Sequence, residues 1–72
     1  MGLESKVNNV LQEVAPHLGG AYRWDRGKLY VDTEKIAEEI SATLDFDGNF
    51  GPTWVEPDGD EAIVEFGPYV GD

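Results

Sequence analysis

The chain has 72 residues, no cysteine and a net charge of −10, from fifteen acidic and five basic residues. This length predicts one domain with a thin core and little room for a deep active site that excludes water. The lack of cysteine excludes disulfides and cysteine-based zinc sites. Because the charge repels nucleic acids and anionic membranes, the expected partners are cations or basic protein surfaces.

The acidic residues are concentrated in the second half of the chain. Residues 1–31 hold three acids and four bases, whereas residues 32–65 hold eleven acids and one base, Lys35. Three of the five cations lie between residues 23 and 28. We therefore expect a negative field from the second half and a small basic cluster before it.

The first predicted element is a helix from about Leu3 to Ala15. Apolar residues recur there at helical spacing and form one stripe. Pro16 and the Gly19-Gly20 pair follow, and both residue types stop helices. The sequence therefore predicts an amphipathic helix that ends before residue 20.

A β-hairpin is predicted next, from strands 21–24 and 28–31. They flank Asp25-Arg26-Gly27, a three-residue loop with Gly at its last position, which accepts a left-handed backbone. Alternation places Tyr22 and Trp24 on one strand face and Arg23 on the other.

The second predicted helix begins after Thr33, which is an N-cap residue type. Its apolar stripe is expected to be buried and consists of Ile36, Ala37, Ile40 and Leu44. Glu34, Glu38 and Glu39 fall outside that stripe and should be exposed. A turn-rich linker is predicted from Asp45 to Pro52.

A second hairpin is predicted from strands 53–56 and 61–66 around residues 57–60. Gly67-Pro68 ends the last strand, and Tyr69 and Val70 are expected to fold back onto the domain. Residues 1–72 thus predict a single acidic α+β domain in the order helix–hairpin–helix–hairpin (αββαββ). The expected architecture is an antiparallel sheet with two helices on one face.

The sequence indicates a protein that is not an enzyme and uses no cofactor. His17 is the only histidine, and it follows a predicted helix with no obvious nucleophile beside it. No Gly-rich phosphate loop occurs. The beginning of the chain lacks the pattern of a signal peptide and no apolar run is long enough for a membrane span, so the expected location is the cytoplasm.

The linker resembles the spacing of an EF-hand calcium loop in part. The residues at positions 1, 3, 5, 9 and 12 of such a loop would be Asp45, Asp47, Asn49, Thr53 and Glu56. Position 6 should be glycine but is Phe50, and the following segment predicts a hairpin where an EF-hand has a helix. A single calcium-binding loop is therefore only an alternative, and ordinary turns explain the same residues.

The acidic surface is the preferred candidate for function. Trp54 is a candidate apolar anchor, and the candidate partner-binding acids are Glu34, Glu38, Glu39, Glu56, Asp58, Asp60, Glu61 and Glu65. An array of carboxylates can imitate the phosphates of a nucleic acid and compete for a basic groove. A solvated face that keeps a small protein in solution is the simpler explanation.

The first hairpin offers a second candidate surface. Tyr22, Trp24 and Tyr30 alternate with basic residues between positions 22 and 30, a pattern that can stack and neutralise single-stranded nucleic acid. The net charge argues against this role. Burial of the aromatics with pairing of the cations to acids is the main alternative, and a contact with protein is another.

The function predicted from these observations is a small protein-interaction module that acts by occupancy. It would be a DNA-mimic-like inhibitor that docks its acidic surface on a basic, nucleic-acid-binding site of a partner protein. A phage or mobile element that antagonises host defence or transcription would be one setting for it. The alternatives are an accessory or structural protein adapted to high salt and a single calcium-binding loop.

Overall fold

A computed structural model describes residues 2–67 and confirms the small α+β domain. The elements in chain order are helix α1 (Leu3–Val14), a 3₁₀ turn (Pro16–Leu18), strands β1 (Tyr22–Asp25) and β2 (Lys28–Val31), helix α2 (Glu34–Asp47), and strands β3 (Thr53–Asp58) and β4 (Glu61–Phe66). Tyr69 and Val70, which were predicted to fold back, lie outside the described residues.

The four strands form one antiparallel sheet in the order β1-β2-β4-β3. Strand β1 pairs with β2 in the first hairpin and β3 with β4 in the second, and the pairing of β2 with β4 joins the two hairpins. The joining register sets Leu29 opposite Val64 and Val31 opposite Ala62. All four of these side chains are at most 1% exposed, so the centre of the sheet is also the centre of the core.

Both helices cover the same face of the sheet. Val7 and Leu11 of α1 and Ala37, Ile40 and Leu44 of α2 are fully buried. They belong to one cluster with the buried strand residues. Burying a Val, Leu or Ile side chain stabilises a fold by about 1.5–3 kcal/mol, so these fully buried side chains contribute strongly to the stability of the domain.

Helix α2 begins as predicted but ends later. The hydroxyl of Thr33 accepts a hydrogen bond from the backbone N–H of Ile36 at 3.2 Å, which confirms the N-cap. The helix continues through Asp47 and ends at Gly48, whose φ of 81° is left-handed. The linker predicted to begin at Asp45 therefore begins at Gly48, because the stop signal is the glycine and the earlier acids fit the helix. Phe50 is only 3% exposed and ties the short linker to the core.

The hairpin loops are shorter than predicted. Asp25 pairs with Lys28, so the first loop contains only Arg26 and Gly27, at φ values of 57° and 79°. Two left-handed residues form a type I′ turn, whose twist matches that of the strands. The prediction of a three-residue loop was wrong because it took Asp25 for a loop residue. In the second hairpin the strands extend to Asp58 and leave Gly59 and Asp60 as the loop.

We expect Arg26→Asn to stabilise the domain by about 0.5–1 kcal/mol, because Asn tolerates the left-handed conformation that Arg resists. Thermal unfolding should show a rise of a few degrees in Tm. The control is Arg26→Gln, which removes the same charge but retains a side chain unsuited to this backbone. An equal Tm for the two variants would show that the turn conformation contributes nothing.

Candidate functional site

The face of the sheet opposite the helices carries the candidate surface, which we call the open face. The cross-strand register gives a row that runs Glu56, Ile63, Tyr30 and Arg23 across the four strands. The full set of residues on this face is Arg23, Asp25, Lys28, Tyr30, Trp54, Glu56, Asp58, Glu61, Ile63 and Glu65. Five acids against two bases make the open face net negative, with three apolar or aromatic side chains among them.

Arg23 holds together one part of the open face. Its guanidinium carbon lies 4.6 Å from the centre of the Tyr30 ring, which is a cation–π contact. Its Nη2 atom donates to both carboxylate oxygens of Glu61, each at 3.1 Å. Because Tyr30 is on β2 and Glu61 on β4, the Arg23 side chain reaches from β1 across the joint between the hairpins.

Trp54 lies at the other edge of the open face and is 47% exposed. Its direct cross-strand partner is Glu65, and Glu56 follows two residues later on the same face. A Cβ built on Gly67 would lie 3.1 Å from Cζ3 of Trp54, so the ring edge rests against this glycine. Gly67 therefore covers one edge of the ring, while about half of Trp54 faces solvent.

The eight predicted acids fall into separate groups. Glu34, Glu38 and Glu39 are exposed on α2, on the helix side of the sheet. The open face carries Glu56, Asp58, Glu61 and Glu65, and Asp60 lies in the loop between β3 and β4. The structure thus brings Trp54 together with acids of its own hairpin and places the acids of α2 in the other layer.

The aromatic residues of the first hairpin also divide between the two faces. Trp24 lies on the core side, where its Nε1 donates to Oδ1 of Asn8 at 2.9 Å and its ring stacks on Phe66 at 6.3 Å. Tyr22 also packs against the core. Only Tyr30 of the three is on the open face. The stacking surface for nucleic acid that the alternation suggested therefore lacks two of its aromatics.

The residues with EF-hand spacing do not surround a common point. Glu56 projects from the open face, whereas Thr53 projects from the helix side of the same strand. Thr53 Oγ1 donates to Oδ1 of Asp45 at 2.9 Å, and Nδ2 of Asn49 donates to Oδ2 of Asp47 at 2.8 Å. These bonds tie α2 to β3 and to the linker. Among residues 2–67 no cluster of three or more His, Asp or Glu side chains is arranged to hold a metal.

The remaining features of the described residues are His17, two clefts and the two helices. His17 is exposed, and its Nε2 lies 3.1 Å from Oε2 of Glu39. Two adjoining clefts of about 220 and 330 Å³ share Lys6 and Asn49, and their walls contain no His or acid. No helix within residues 2–67 has the length and apolarity that a membrane crossing requires.

Two apolar residues outside the core, one partly buried and one exposed, were missed by the sequence reasoning. Ile63 sits in the middle of the open face between Glu61 and Glu65, and strict alternation along β4 would have revealed it. Phe46 is 94% exposed near the end of α2. It was assigned to the linker, and the sequence carries no signal that would have placed it on the outside of a helix.

The chain matches no protein-family model, and no curated protein or solved structure is significantly similar to it.

We expect millimolar Ca²⁺ to raise the Tm no more than Mg²⁺ does at equal ionic strength, because Glu56 and Thr53 project from opposite faces of β3. Thermal unfolding in the two salts checks this. A larger rise with Ca²⁺ that Asp45→Asn abolishes would contradict the expectation and restore the calcium-loop alternative. Glu34→Gln is the control, since it removes one exposed charge away from the loop.

Proposed function

We propose that this protein is a small interaction module that inhibits a basic, nucleic-acid-binding protein by occupying its binding site. It acts by occupancy and carries out no chemistry. The open face is the docking surface. The observation that supports this most is the arrangement around Trp54, where an exposed indole stands directly opposite Glu65 with Glu56 on the same strand.

The composition of the open face suits a basic partner. A protein interface commonly uses a few aromatic anchors surrounded by polar groups, and Trp and Tyr are the most frequent anchors. Here Trp54, Tyr30 and Ile63 provide apolar contact, and the surrounding carboxylates provide negative charge. Sites that bind nucleic acids carry lysine and arginine to neutralise phosphates, so they are complementary to such a face.

The pairing of β3 with β4 also favours this role. A groove that reads phosphates is matched best by charges held at fixed positions, since flexible side chains lose conformational entropy on binding. The carboxylates of β3 and β4 project from a paired ladder of six residues on each strand. The spacing of residues on one strand face is about 6.6–6.8 Å, comparable to the separation of phosphates along a nucleic-acid strand.

We expect the tagged protein to retain a basic nucleic-acid-binding protein from a lysate of the source organism or its host. Moderate salt and an excess of duplex DNA should both release it, because the contact is electrostatic and shares the DNA site. A retained protein that excess DNA does not displace would contradict mimicry.

Two triple variants locate the docking surface. Reversal of Glu56, Asp58 and Glu65 to Lys should abolish retention, whereas reversal of Glu34, Glu38 and Glu39 to Lys should weaken it less. Both variants change the net charge equally, so a difference between them reports position and not total charge. Equal loss in both would show that the open face has no special role. Circular dichroism and thermal unfolding verify that each variant is folded.

A further inference from the structure

The structure contains an example of how the open face binds a guanidinium group. The guanidinium carbon of Arg23 lies 4.6 Å from the centre of the Tyr30 ring, and its Nη2 donates to both carboxylate oxygens of Glu61. The arrangement needs an aromatic ring below the cation and a carboxylate beside it. A planar guanidinium can stack and donate hydrogen bonds at the same time, whereas a compact ammonium satisfies this combination poorly.

A second set with the same composition lies at the other edge of the sheet. Trp54 provides a ring, and the carboxylate of Glu65 stands directly across the ladder from it. Cβ atoms of such a pair lie about 4.5–5.5 Å apart, the distance at which a cation over the ring also reaches the carboxylate. Glu56 provides a second carboxylate on the same strand. Tryptophan offers the strongest cation–π attraction of the three aromatic side chains.

This second set has no cation of its own among residues 2–67, which include all five Lys and Arg residues of the chain. If the register continued one position beyond the Leu29–Val64 pair, Lys28 would stand opposite Glu65. Lys28 forms no ion pair within 4.0 Å, and the ion pairs found in the described part of the chain are His17–Glu39 and Arg23–Glu61.

We propose that Trp54, Glu56 and Glu65 form a receptor for one arginine side chain of the basic partner protein. This inference deepens the proposed function and rests on it for the existence of that partner. Charge complementarity selects the occupant, because two carboxylates flank the ring. A second copy of this chain is disfavoured, since its own open face is net negative and would repel the first.

Arginine is also the residue that a nucleic-acid-binding site offers most readily. It contacts phosphates and guanine edges through its paired donors. An inhibitor that captures such an arginine between an indole ring and two carboxylates removes a group that the nucleic acid needs. The receptor therefore gives the exposed indole ring a role beside the acids of β3 and β4.

The test uses the full chain labelled with ¹⁵N and two short capped peptides of equal length and charge, one with arginines and one with lysines. The two indole N–H signals separate Trp54 from Trp24, which lies on the core side and serves as an internal reference. We expect the arginine peptide to shift the Trp54 signal and to bind about two- to fivefold more tightly than the lysine peptide at low salt.

Variants at the ring and the carboxylates complete the test. Trp54→Ala should abolish the preference for arginine, and Trp54→Phe should retain part of it, both followed through the backbone amides of β3 and β4. Glu65→Gln should weaken binding of the arginine peptide more than Glu39→Gln does. The second variant is the control, because it removes the same single charge from α2. Equal binding of both peptides, or a Trp54 signal that neither peptide shifts, overturns the receptor. If both peptides bind the open face equally, the arginine receptor is overturned but the open face can still be the docking surface for a basic protein. The two proposals can therefore fail independently.

Discussion

The pairing of β2 with β4 is the contact on which the rest of the structure depends. A two-stranded hairpin is at best marginally stable alone, and each half of this chain supplies only one hairpin and one helix. Three residue pairs join the halves, and the flanking pairs Leu29–Val64 and Val31–Ala62 lie beneath the helices. Without this joint neither helix would have a sheet wide enough to cover, and the core would be lost.

The same joint determines what the opposite face contains. It places Tyr30 beside Ile63 and brings Arg23 of the first hairpin within reach of Glu61 of the second. Helices α1 and α2 both pack on the same side of the sheet. Within residues 2–67 no helix covers the other side of the sheet, and its mainly acidic residues include Tyr30, Trp54 and Ile63, where a purely solvated face would be uniformly polar.

The unequal charge of the two halves has a structural meaning. The basic first hairpin is placed next to the acidic second hairpin in the sheet, so Arg23 offsets part of the local repulsion. An exposed pair of this kind contributes about 0.2–1 kcal/mol at most. Glu56, Asp58 and Glu65 form no ion pair within residues 2–67, so their charge remains for the cationic partner that we propose.

The type and order of the helices and strands could be predicted from the sequence, though not the end of α2 or the loop lengths, because each element is governed by a local rule. The N-cap at Thr33, the stripe that includes Ile40 and Leu44, and the alternation of Trp24 with Arg23 were all confirmed. The strand order was beyond reach, since it depends on the long-range pairing of β2 with β4.

The surface was predicted less completely than the fold for the same reason. Once the sheet is known, alternation along each strand tells which residues lie on the open face. That Glu34, Glu38 and Glu39 lie apart from the acids of the second hairpin can be known only from the arrangement of the helices on the sheet. The contact of Arg23 with Glu61 joins residues of different hairpins. Composition alone could indicate only that cations would pair with acids.

The most direct test of this account is a chemical-shift map of the ¹⁵N-labelled protein bound to the partner that it retains. We expect the chemical shifts of the open-face residues Tyr30, Trp54, Glu56, Ile63 and Glu65 to change and those along the outer side of α2 to stay the same. A map centred on Glu34, Glu38 and Glu39, with the open face unchanged, would contradict it.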